Sequence, residues 1–595
     1  MKTLKIFGLA LFCITSVIAQ SNDEALNHKI KSLEGKFEKV LSASKSAGFS
    51  VAIVKGSEII YANGFGFRDI ENKTPVTSNT IFAIGSSTKA FTASLLGILR
   101  ENGKVDFETS PRKYVPELQF YNSEMNAQIT IKDLMTHRTG LPRHSGAWKM
   151  FPTESQDEFL ARIAYQEPVH ALRSKFRYNN FMYFVQGVVA ERLTGKSWGQ
   201  NIEQNLFVPL QMENSSANIE GLTNNSEAAT GYYFENGITT EIDYKDIGMM
   251  NPAGGINSSV NDMSKWMIAW LNKGKYNGEQ ILPTNYVKEA MSSQMVITGR
   301  IPKVTNPGTF MFNYGYGWFI SSYKGHYRVD HGGNIDGFSA NVAFYPTDDL
   351  GIVVLSNQNK SVVPQAITNI IADQLLETPQ TNWIEKLEKQ IEKETQITEV
   401  DPIVSITPVH SLSDYTGSYK HKGYGTYEVI SRNDSLFAEF PAYTQWLNPS
   451  HPNVFETFYV LDNKVDPQSK GKSIKFMTNF EDKISGSEIK LERALDPIVF
   501  NRTPLKTNLA VKANMDAYIG EYTFKNMTFD VAKKDDQLQM TINDDQTVKL
   551  EINDKNSFTV VNKEGFSISF KVGKNHIASD LILHQPNGTF TAKRK

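Results

Sequence analysis

The chain has 595 residues, of which 40% are hydrophobic and 21% are charged, and its formal net charge is −2 at pH 7. This composition is ordinary for a globular protein, provides ample material for a core, and at this length predicts two to four domains. Nucleic-acid binding is not expected without a basic excess, and no acidic tail points to a basic partner.

Residues 1–19 have the pattern of a signal peptide. A short basic start is followed by an apolar run from Ile6 to Ala19 that is too short to cross a bilayer and has small residues near its end. We expect cleavage after Ala19 and a secreted or periplasmic protein, with a membrane anchor as the alternative. The single cysteine, Cys13, lies in this segment, so the mature chain would have no thiol for a disulfide, a nucleophile or a metal ligand.

Differences in pattern predict four further segments. Residues 20–375 mix helical and strand patterns, residues 376–405 are polar and charged, and residues 406–503 and 504–595 are rich in short strands. Within the polar segment, residues 382–394 have apolar side chains at spacings of three and four. That spacing predicts a short amphipathic helix that connects the segments on either side.

The segment 20–375 begins and ends with predicted strand pairs. Residues 49–55 and 58–65 are predicted strands on either side of a Gly56-Ser57 turn, and residues 340–345 and 351–355 form a second pair. Helical patterns lie between them. Strands at both ends with helices in the middle predict an α+β domain, in which an antiparallel sheet is joined by both termini and helices pack against it.

The strand-rich tail contains a weak internal repeat. Tyr415-Thr-Gly417-Ser-Tyr419 recurs as Tyr518-Ile-Gly520-Glu-Tyr522, and short alternating strands follow both copies. We interpret them as two small antiparallel barrels or two halves of one larger barrel, although a turn motif can also recur by chance. Stacking on a polysaccharide or peptidoglycan surface is a further hypothesis, because aromatic residues are frequent here, but such side chains are more often core. They are Tyr415, Tyr419, Tyr443, Trp446, Phe455, Phe458 and Tyr459.

Ser86 and Lys89 stand three residues apart at the start of a predicted helix, so their side chains share one face. The N-terminus of a helix favours developing negative charge, and its first N–H groups can donate to an oxyanion. A lysine in an apolar cleft loses proton affinity by desolvation and can act as a neutral base. The pair is therefore a candidate nucleophile and base, with a capped surface helix as the alternative for so short a motif.

Two further motifs strengthen this interpretation. Tyr178, just before a helical pattern, can relay a proton between Ser86 and a leaving group, and Asn180 can orient Lys89 and a substrate amide. The sequence from His331 to Asn334 precedes a predicted strand, where its two glycines let a substrate backbone approach closely and its histidine offers a hydrogen-bond donor. Each motif alone can be an ordinary turn, but three in this order favour a catalytic site.

With these motifs, residues 30–375 resemble the serine β-lactamase and penicillin-binding-protein superfamily. The branch that they resemble holds class C β-lactamases, D-aminopeptidases, D-alanyl-D-alanine carboxypeptidases and related esterases. Three further stretches, residues 129–142, 252–263 and 314–318, are similar to landmark loops of that branch. The resemblance implies a β-lactamase- or transpeptidase-like α+β sandwich, followed here by an all-β, lipocalin-like tail.

The resemblance also implies a role for each matching residue. Ser86 would be acylated and Lys89 would be the general base, with Tyr178 as their catalytic partner. The backbone N–H groups of Ser86 and Asn334 would form the oxyanion hole, and no metal or other cofactor would be needed. Substrate or oxyanion contacts are implied for Asn180, His331, Gly333 and Asn334.

One departure from the family pattern bears on the substrate. β-Lactamases and carboxypeptidases of this superfamily usually have lysine where this chain has His331, and histidine is a weaker, pH-dependent cation. The departure favours D-aminopeptidase- or peptidase-like hydrolysis of a small amide, peptide or ester. Esterase activity, β-lactamase activity and non-catalytic capture of penicillin or cell-wall peptides are the alternatives. The tail resembles barrel modules that can border the active site in relatives, and the sequence predicts no oligomeric state.

Overall fold

The structure is a computed structural model that describes most of residues 26–595. The predicted signal peptide, residues 1–19 with Cys13, lies outside the described residues. The described chain forms two compact units, one that ends at residue 395 and one that begins at residue 403. None of the helices described has the length and apolar character needed to cross a bilayer. Within 26–595, the residues not described are 144–146, 245, 300, 305–307, 396–402, 462–463, 492–494, 505–514, 535–536, 555, 562, 564, 574–576 and 587.

The first unit is built on a nine-stranded antiparallel sheet, in the order β4-β5-β6-β7-β8-β9-β1-β2-β3. Its strands are β1 (Gly48–Lys55), β2 (Glu58–Asp69), β3 (Thr74–Pro75), β4 (Met295–Gly299), β5 (Met311–Tyr314), β6 (Phe319–Tyr323), β7 (His326–Ile335), β8 (Phe338–Tyr345) and β9 (Leu350–Ser356). Three short pairs lie outside it: Phe82–Ala83 with Asn257–Ser258, Tyr232–Glu235 with Ile238–Glu241, and Lys275–Tyr276 with Glu279–Gln280.

The two ends of this unit meet at the centre of the sheet. Strand β1 pairs on one side with β2 and on the other with β9, so the first and last strands are neighbours. Gly56, at a φ of 60°, makes the predicted turn between β1 and β2. Both predicted strand pairs and the α+β class are confirmed. Every residue of β8 and β9 is buried, because helices cover both faces of the sheet.

Alternating side chains divide the interior into two cores. Ala52 and Val54 of β1 face the larger core, while Phe49, Val51 and Ile53 face the smaller one. The helices, in chain order, are α1 (26–44), α2 (Thr88–Glu101), α3 (Ser123–Gln128), α4 (Ile131–Met135), α5 (Ala147–Met150), α6 (Gln156–Ala161), α7 (Phe181–Thr194), α8 (Trp198–Ile202), α9 (Val208–Leu210), α10 (Glu220–Thr223), α11 (Asn251–Gly254), α12 (Val260–Leu271), α13 (Thr284–Ala290), α14 (Val363–Leu375), α15 (Trp383–Thr395) and α16 (Leu412–Tyr415).

Helix α15 corresponds to the amphipathic helix that the sequence predicts in the polar segment. Its Leu387 and Ile391 are buried in the smaller core, beside α1 and α14. The indole of Trp383 donates to Asp373 of α14 at 2.9 Å. The helix therefore packs as part of the first unit, because its apolar stripe needs a surface to cover.

The second unit contains two β-barrels. Of the nine strands β10 to β18, eight form a ring that closes by pairing β13 with β14, and the ninth, β15, attaches outside the ring to β14. Strands β19 to β26 form a closed barrel. They are β10 (Gly417–His421), β11 (Gly425–Arg432), β12 (Ser435–Phe440), β13 (Tyr443–His451), β14 (Val454–Leu461), β15 (Lys464–Lys470), β16 (Ile474–Thr478), β17 (Ile484–Ile489), β18 (Ile498–Thr503), β19 (Gly520–Phe524), β20 (Met527–Lys534), β21 (Gln537–Ile542), β22 (Gln546–Asp554), β23 (Ser557–Val560), β24 (Ser567–Val572), β25 (Ala578–Gln585) and β26 (Gly588–Arg594).

The Tyr-x-Gly-x-Tyr motif fastens the start of the first barrel to its end. Tyr419 donates to the carbonyl of Tyr415 at 2.7 Å, and Tyr415 donates to the side chain of Asn453 at 2.7 Å. From the last strand, the Arg502 guanidinium donates twice to the carbonyl of Thr416, at 3.0 and 2.7 Å. These bonds tie the segment that leads into the first strand, β10, to the last strand, β18, with which β10 pairs.

The second barrel repeats this arrangement contact by contact. Tyr522 donates to the carbonyl of Tyr518 at 2.9 Å, and Tyr518 donates to Asn556 at 2.6 Å. Arg594 of the last strand donates to the carbonyl of Ile519, the counterpart of Thr416. The prediction of barrels in the tail is therefore confirmed in its two-barrel form, and the alternative of two halves of one barrel is wrong.

The glycine of each motif makes room for the arginine. A Cβ on Gly417 would lie 2.9 Å from Arg502 Nε, and one on Gly520 would lie 2.8 Å from Arg594 Nη2.

The tail's aromatic residues are mostly structural. Tyr415, Tyr419, Phe455 and Phe458 are buried, whereas Tyr443, Trp446 and Tyr459 are half-buried.

Replacing Arg502 with Met should loosen the first barrel, because buried carbonyls would lose their charged donor. We expect the free energy of local opening to fall by about 2–3 kcal/mol. Hydrogen exchange of the intact chain, read by mass spectrometry over β10 and β17, measures it. Arg432→Met is the matched control: Arg432 pairs with Glu439 at the surface and should change opening by less than about 0.5 kcal/mol. Equal exchange in the two variants would contradict the role given to Arg502.

Candidate active site

Ser86 lies on a tight turn that leads into α2. Residues Gly85–Ser87 form one turn of 3-10 helix, and α2 continues from Thr88. Gly85 has a φ of 50°, a conformation that glycine adopts without strain. The turn leaves Ser86 partly exposed while its neighbours on both sides are buried. A hydroxyl thus stands at the N-terminus of a buried helix, as the sequence predicts.

Lys89 is fully buried below Ser86. Its Nζ lies 3.2 Å from Ser86 Oγ and donates to the carbonyl of Ala253 at 2.7 Å. The rings of Tyr178 and Tyr183 lie 4.8 and 5.4 Å from the same nitrogen. Burial, and then the positive charge of Arg143, hold the pKa of Lys89 well below its usual value. An uncharged amine keeps a lone pair that can accept the Ser86 proton.

Helix α2 is fixed against the 252–263 loop by three hydrogen bonds. Besides the bond from Lys89 to Ala253, Thr92 donates to the carbonyl of Pro252 at 2.7 Å, and Ile256 N donates to Thr88 Oγ1 at 3.1 Å. On the helix, Thr92 lies one turn beyond Thr88 and Lys89, so the three side chains point to the same side. The loop that the sequence marks as a family landmark therefore sets the position of the lysine.

Asn180, which the sequence predicts to orient Lys89 and a substrate amide, makes no hydrogen bond to Lys89 in the described part of the chain, and its contact with a substrate stays a prediction. Its Oδ1 is buried and has no hydrogen-bond partner among the described residues. The carbonyl of Ala253 takes that place at the lysine. Asn180 instead begins α7, where its carbonyl accepts from Tyr183 N and Phe184 N.

Tyr178 is brought to Ser86 by a loop that is fastened to His137. Tyr178 lies beside Ser86, and burial raises the pKa of this tyrosine above its usual value. Asn179 N donates to His137 Nδ1 at 3.1 Å, and Arg177 N donates to the His137 carbonyl at 2.8 Å. Both residues that flank Tyr178 are thus bonded to one histidine, whose ring lies 4.3 Å from that of Tyr178.

Strand β7 forms the other side of the nucleophile. A Cβ on Gly333 would lie 1.9 Å from the carbonyl of Ile84, and one on Gly85 would lie 2.9 Å from Asn334 N. Ser87 donates to the carbonyl of His331 at 3.1 Å. The backbone N–H of Asn334 therefore borders the Ser86 turn, with glycines permitting the close approach.

His331 is buried and neutral, which corrects the prediction that it is a pH-dependent cation. Burial, and then the charge of Lys89, lower its pKa to about 3. Its Nδ1 lies 2.6 Å from the Gly332 carbonyl and therefore carries the proton, so Nε2 accepts from the Tyr314 hydroxyl at 3.1 Å. The ring of Phe319 lies 5.0 Å away. This enclosure could not be predicted from the sequence, because Tyr314 and Phe319 come from other strands of the sheet.

The structure thus brings Ser86, Lys89, Tyr178 and the His331–Asn334 strand together. Their individual roles stay predictions. Sequence reasoning missed the Ala253 carbonyl, since a backbone acceptor has no residue signature, and it missed Asn179 although that residue is part of a motif. It also missed Arg143, whose position beside Tyr178 becomes visible only in the folded chain.

Comparison with known families agrees with this geometry. Residues 33–376 match the family described as Beta-lactamase. Residues 401–502, which include the first barrel, match a domain of unknown function, DUF3471.

Similar proteins and structures include hydrolases and a penicillin-binding-protein homologue. Unguisins hydrolase ungD' of Aspergillus campestris is 28% identical over 408 residues, 64% of this chain and 74% of its own length. Protein flp of Staphylococcus aureus is 25% identical over 327 residues, 54% of this chain and 62% of its own. The octameric penicillin-binding protein homologue from Pyrococcus abyssi is similar in fold, with a TM-score of 0.53 and 22% identity, over 79% of this chain and all of that one.

Gly333→Ala should abolish the reaction of Ser86, because the new methyl would collide with the Ile84 carbonyl and move β7 away from the turn. The expected loss in the labelling rate of Ser86 by a fluorophosphonate is at least about 100-fold. Gly332→Ala is the matched control, since its Cβ would meet no atom closer than 3.6 Å. Equal labelling rates in the two variants would mean that the close approach of β7 to the Ser86 turn is not needed for the reaction of Ser86.

The labelling rate should rise with pH as Lys89 loses its proton, and the rise should occur well below the usual lysine pKa because that pKa is lowered. Lys89→Ala should reduce the labelling rate by several orders of magnitude, because Ser86 would then lack its base. Rates measured from acid to alkaline pH test both points. A profile that rises only near the usual lysine pKa, or a normal rate in Lys89→Ala, would exclude Lys89 as the base.

Proposed function

Because the chain belongs to the β-lactamase family of serine hydrolases, we propose that it hydrolyses small amides, peptides or esters through an acyl-enzyme on Ser86. The observation that carries this proposal is the 3.2 Å approach of the buried Lys89 Nζ to Ser86 Oγ. A nucleophile beside a base whose pKa is lowered is the arrangement that acyl transfer requires.

In the proposed acylation, Ser86 Oγ attacks the substrate carbonyl carbon and its proton passes to the neutral amine of Lys89. The developing oxyanion is stabilised by the backbone N–H groups of Ser86 and Asn334. When the carbon–nitrogen or carbon–oxygen bond to the leaving group breaks, a proton passes from Lys89 through Tyr178 to that group. Tyr178 suits a relay better than a base, because its raised pKa keeps it protonated.

Deacylation reverses this path with water as the nucleophile. Water attacks the ester carbonyl of the acyl-enzyme, its proton is taken up by the Tyr178 and Lys89 pair, and Ser86 Oγ recovers a proton as it leaves. The products are a carboxylic acid and an amine or alcohol. Lys89 ends neutral, ready for the next cycle.

We favour an amide, peptide or ester substrate over a β-lactam. The third motif has the neutral His331 instead of the lysine that is usual in β-lactamases, so it offers no point charge. A relative is named as a hydrolase of unguisins, which supports hydrolysis without specifying the substrate here. Non-catalytic binding of cell-wall peptides is less well supported, because a binder needs no buried base beside a nucleophile.

We also propose that the protein acts outside the cytoplasm, on the basis of residues 1–19 alone. Contact of the barrels with a cell-wall surface is a further part of the proposal. The half-buried Tyr443, Trp446 and Tyr459 are the aromatic side chains available for it.

Ser86 should react with a fluorophosphonate probe, because such probes label activated serine nucleophiles. Intact-mass spectrometry of the mature protein should show one adduct on the wild type and none on Ser86→Ala. Ser123→Ala is the control: this serine is exposed at the start of α3, and its loss should leave the adduct. An adduct on Ser86→Ala, or none on the wild type, would overturn the assignment of Ser86.

A further inference from the structure

Arg143 lies at the edge of the candidate site, just after the 129–142 loop. Its guanidinium is 5.3 Å from the centroid of the Tyr178 ring, and the side chain is exposed. Its positive charge reaches the site, because it lowers the pKa values of Lys89, His137 and Tyr178, although burial is the larger influence on each. Arg143 therefore faces the space in which a substrate must lie to reach Ser86.

Burial favours the uncharged forms of the other titratable groups around Ser86. Burial lowers the pKa values of Lys89, His137 and His331, and burial raises those of Tyr178 and Tyr183. Arginine, in contrast, stays charged at any pH at which proteins fold. Among the groups that influence Lys89 in the described residues, Arg143 is thus the permanent cation.

No anion of the protein neutralises Arg143 within the described residues. It takes part in no salt bridge there, whereas Lys149 of the neighbouring helix α5 pairs with Asp336 at 2.9 Å. Stacking on Tyr178 limits the positions of the guanidinium without using its five N–H donors. A planar, fork-shaped donor that is already positioned suits a carboxylate, which it can bind through two parallel hydrogen bonds.

We propose that Arg143 binds a carboxylate on the leaving-group side of the substrate and so makes this enzyme prefer carboxylate-bearing amides, peptides or esters over their neutral analogues. The side follows from Tyr178, which stands next to Arg143 and is the group that passes a proton to the leaving group in the proposed reaction. This inference rests on the proposed function. It gives the substrate-anchoring role to a cation outside the third motif, where His331 cannot supply one.

A matched pair of thioesters tests the inference directly. Hippuryl thioglycolate has a carboxylate on its leaving group, and hippuryl thioglycolamide has a neutral carboxamide in the same place. The wild type should hydrolyse the first with a kcat/KM about tenfold to a hundredfold higher, the worth of one charge-assisted hydrogen-bonded pair. Arg143→Gln should lose this preference mainly through KM of the carboxylate substrate, and Arg143→Lys should restore part of it.

Lys149→Gln is the control, because it removes a nearby cation that is already paired, and it should keep the preference. The pH dependence gives a second readout. Without the charge of Arg143 the pKa of Lys89 should rise, so the acid limb of kcat/KM should move to higher pH in Arg143→Gln and remain in place in Lys149→Gln. Substrate preference is therefore compared at the alkaline plateau.

The failure of this inference is distinguishable from the failure of the proposed function. A wild type that treats the two thioesters alike, turning over both or neither while a fluorophosphonate still labels Ser86, would overturn the role of Arg143. A preference that survives in Arg143→Gln would do the same. A wild type in which Ser86 is not labelled would instead overturn the proposed function itself.

Discussion

The chemistry of this site depends on the burial of one amine, the side chain of Lys89. Lys89 is taken out of water, and the carbonyl of Ala253 gives its Nζ one hydrogen-bond partner while leaving no counter-charge. Desolvation without a neighbouring anion favours the neutral form. A carboxylate in place of that carbonyl would reverse the effect, because it would stabilise the protonated amine.

Three segments from distant parts of the chain must meet for this to work. The Ser87 hydroxyl fastens the Ser86 turn to the His331 carbonyl of β7, and the Asn179 N–H fastens the Tyr178 loop to the His137 ring. The Lys89 amine fastens α2 to the Ala253 carbonyl. Close approach of backbones is possible because Gly85 and Gly333 lack side chains. The chemistry thus depends on backbone groups that are paired with side chains from other segments.

The sequence predicts the helix and strands that carry the site better than it predicts the charge states of the side chains there. Spacing places Ser86 and Lys89 on one helical face, and alternation predicts the strand pairs around the joined termini, because both are local properties of the chain. The neutrality of His331 depends on Tyr314 and Phe319, which become its neighbours only when the sheet forms. Likewise, Ala253 contributes a carbonyl, which any residue type has, and Arg143 reaches Tyr178 from a separate loop.

The matching Tyr–Arg contacts of the two barrels indicate how the tail originated. Tyr415, Asn453 and Arg502 have counterparts in Tyr518, Asn556 and Arg594, with the same donors and acceptors. Independent invention of the same network twice in one chain is far less economical than duplication of an ancestral module followed by divergence. The residues that fasten the ends of each barrel are then the ones that the two copies still share. They provide the anchor points for aligning modules of this type when overall identity has faded.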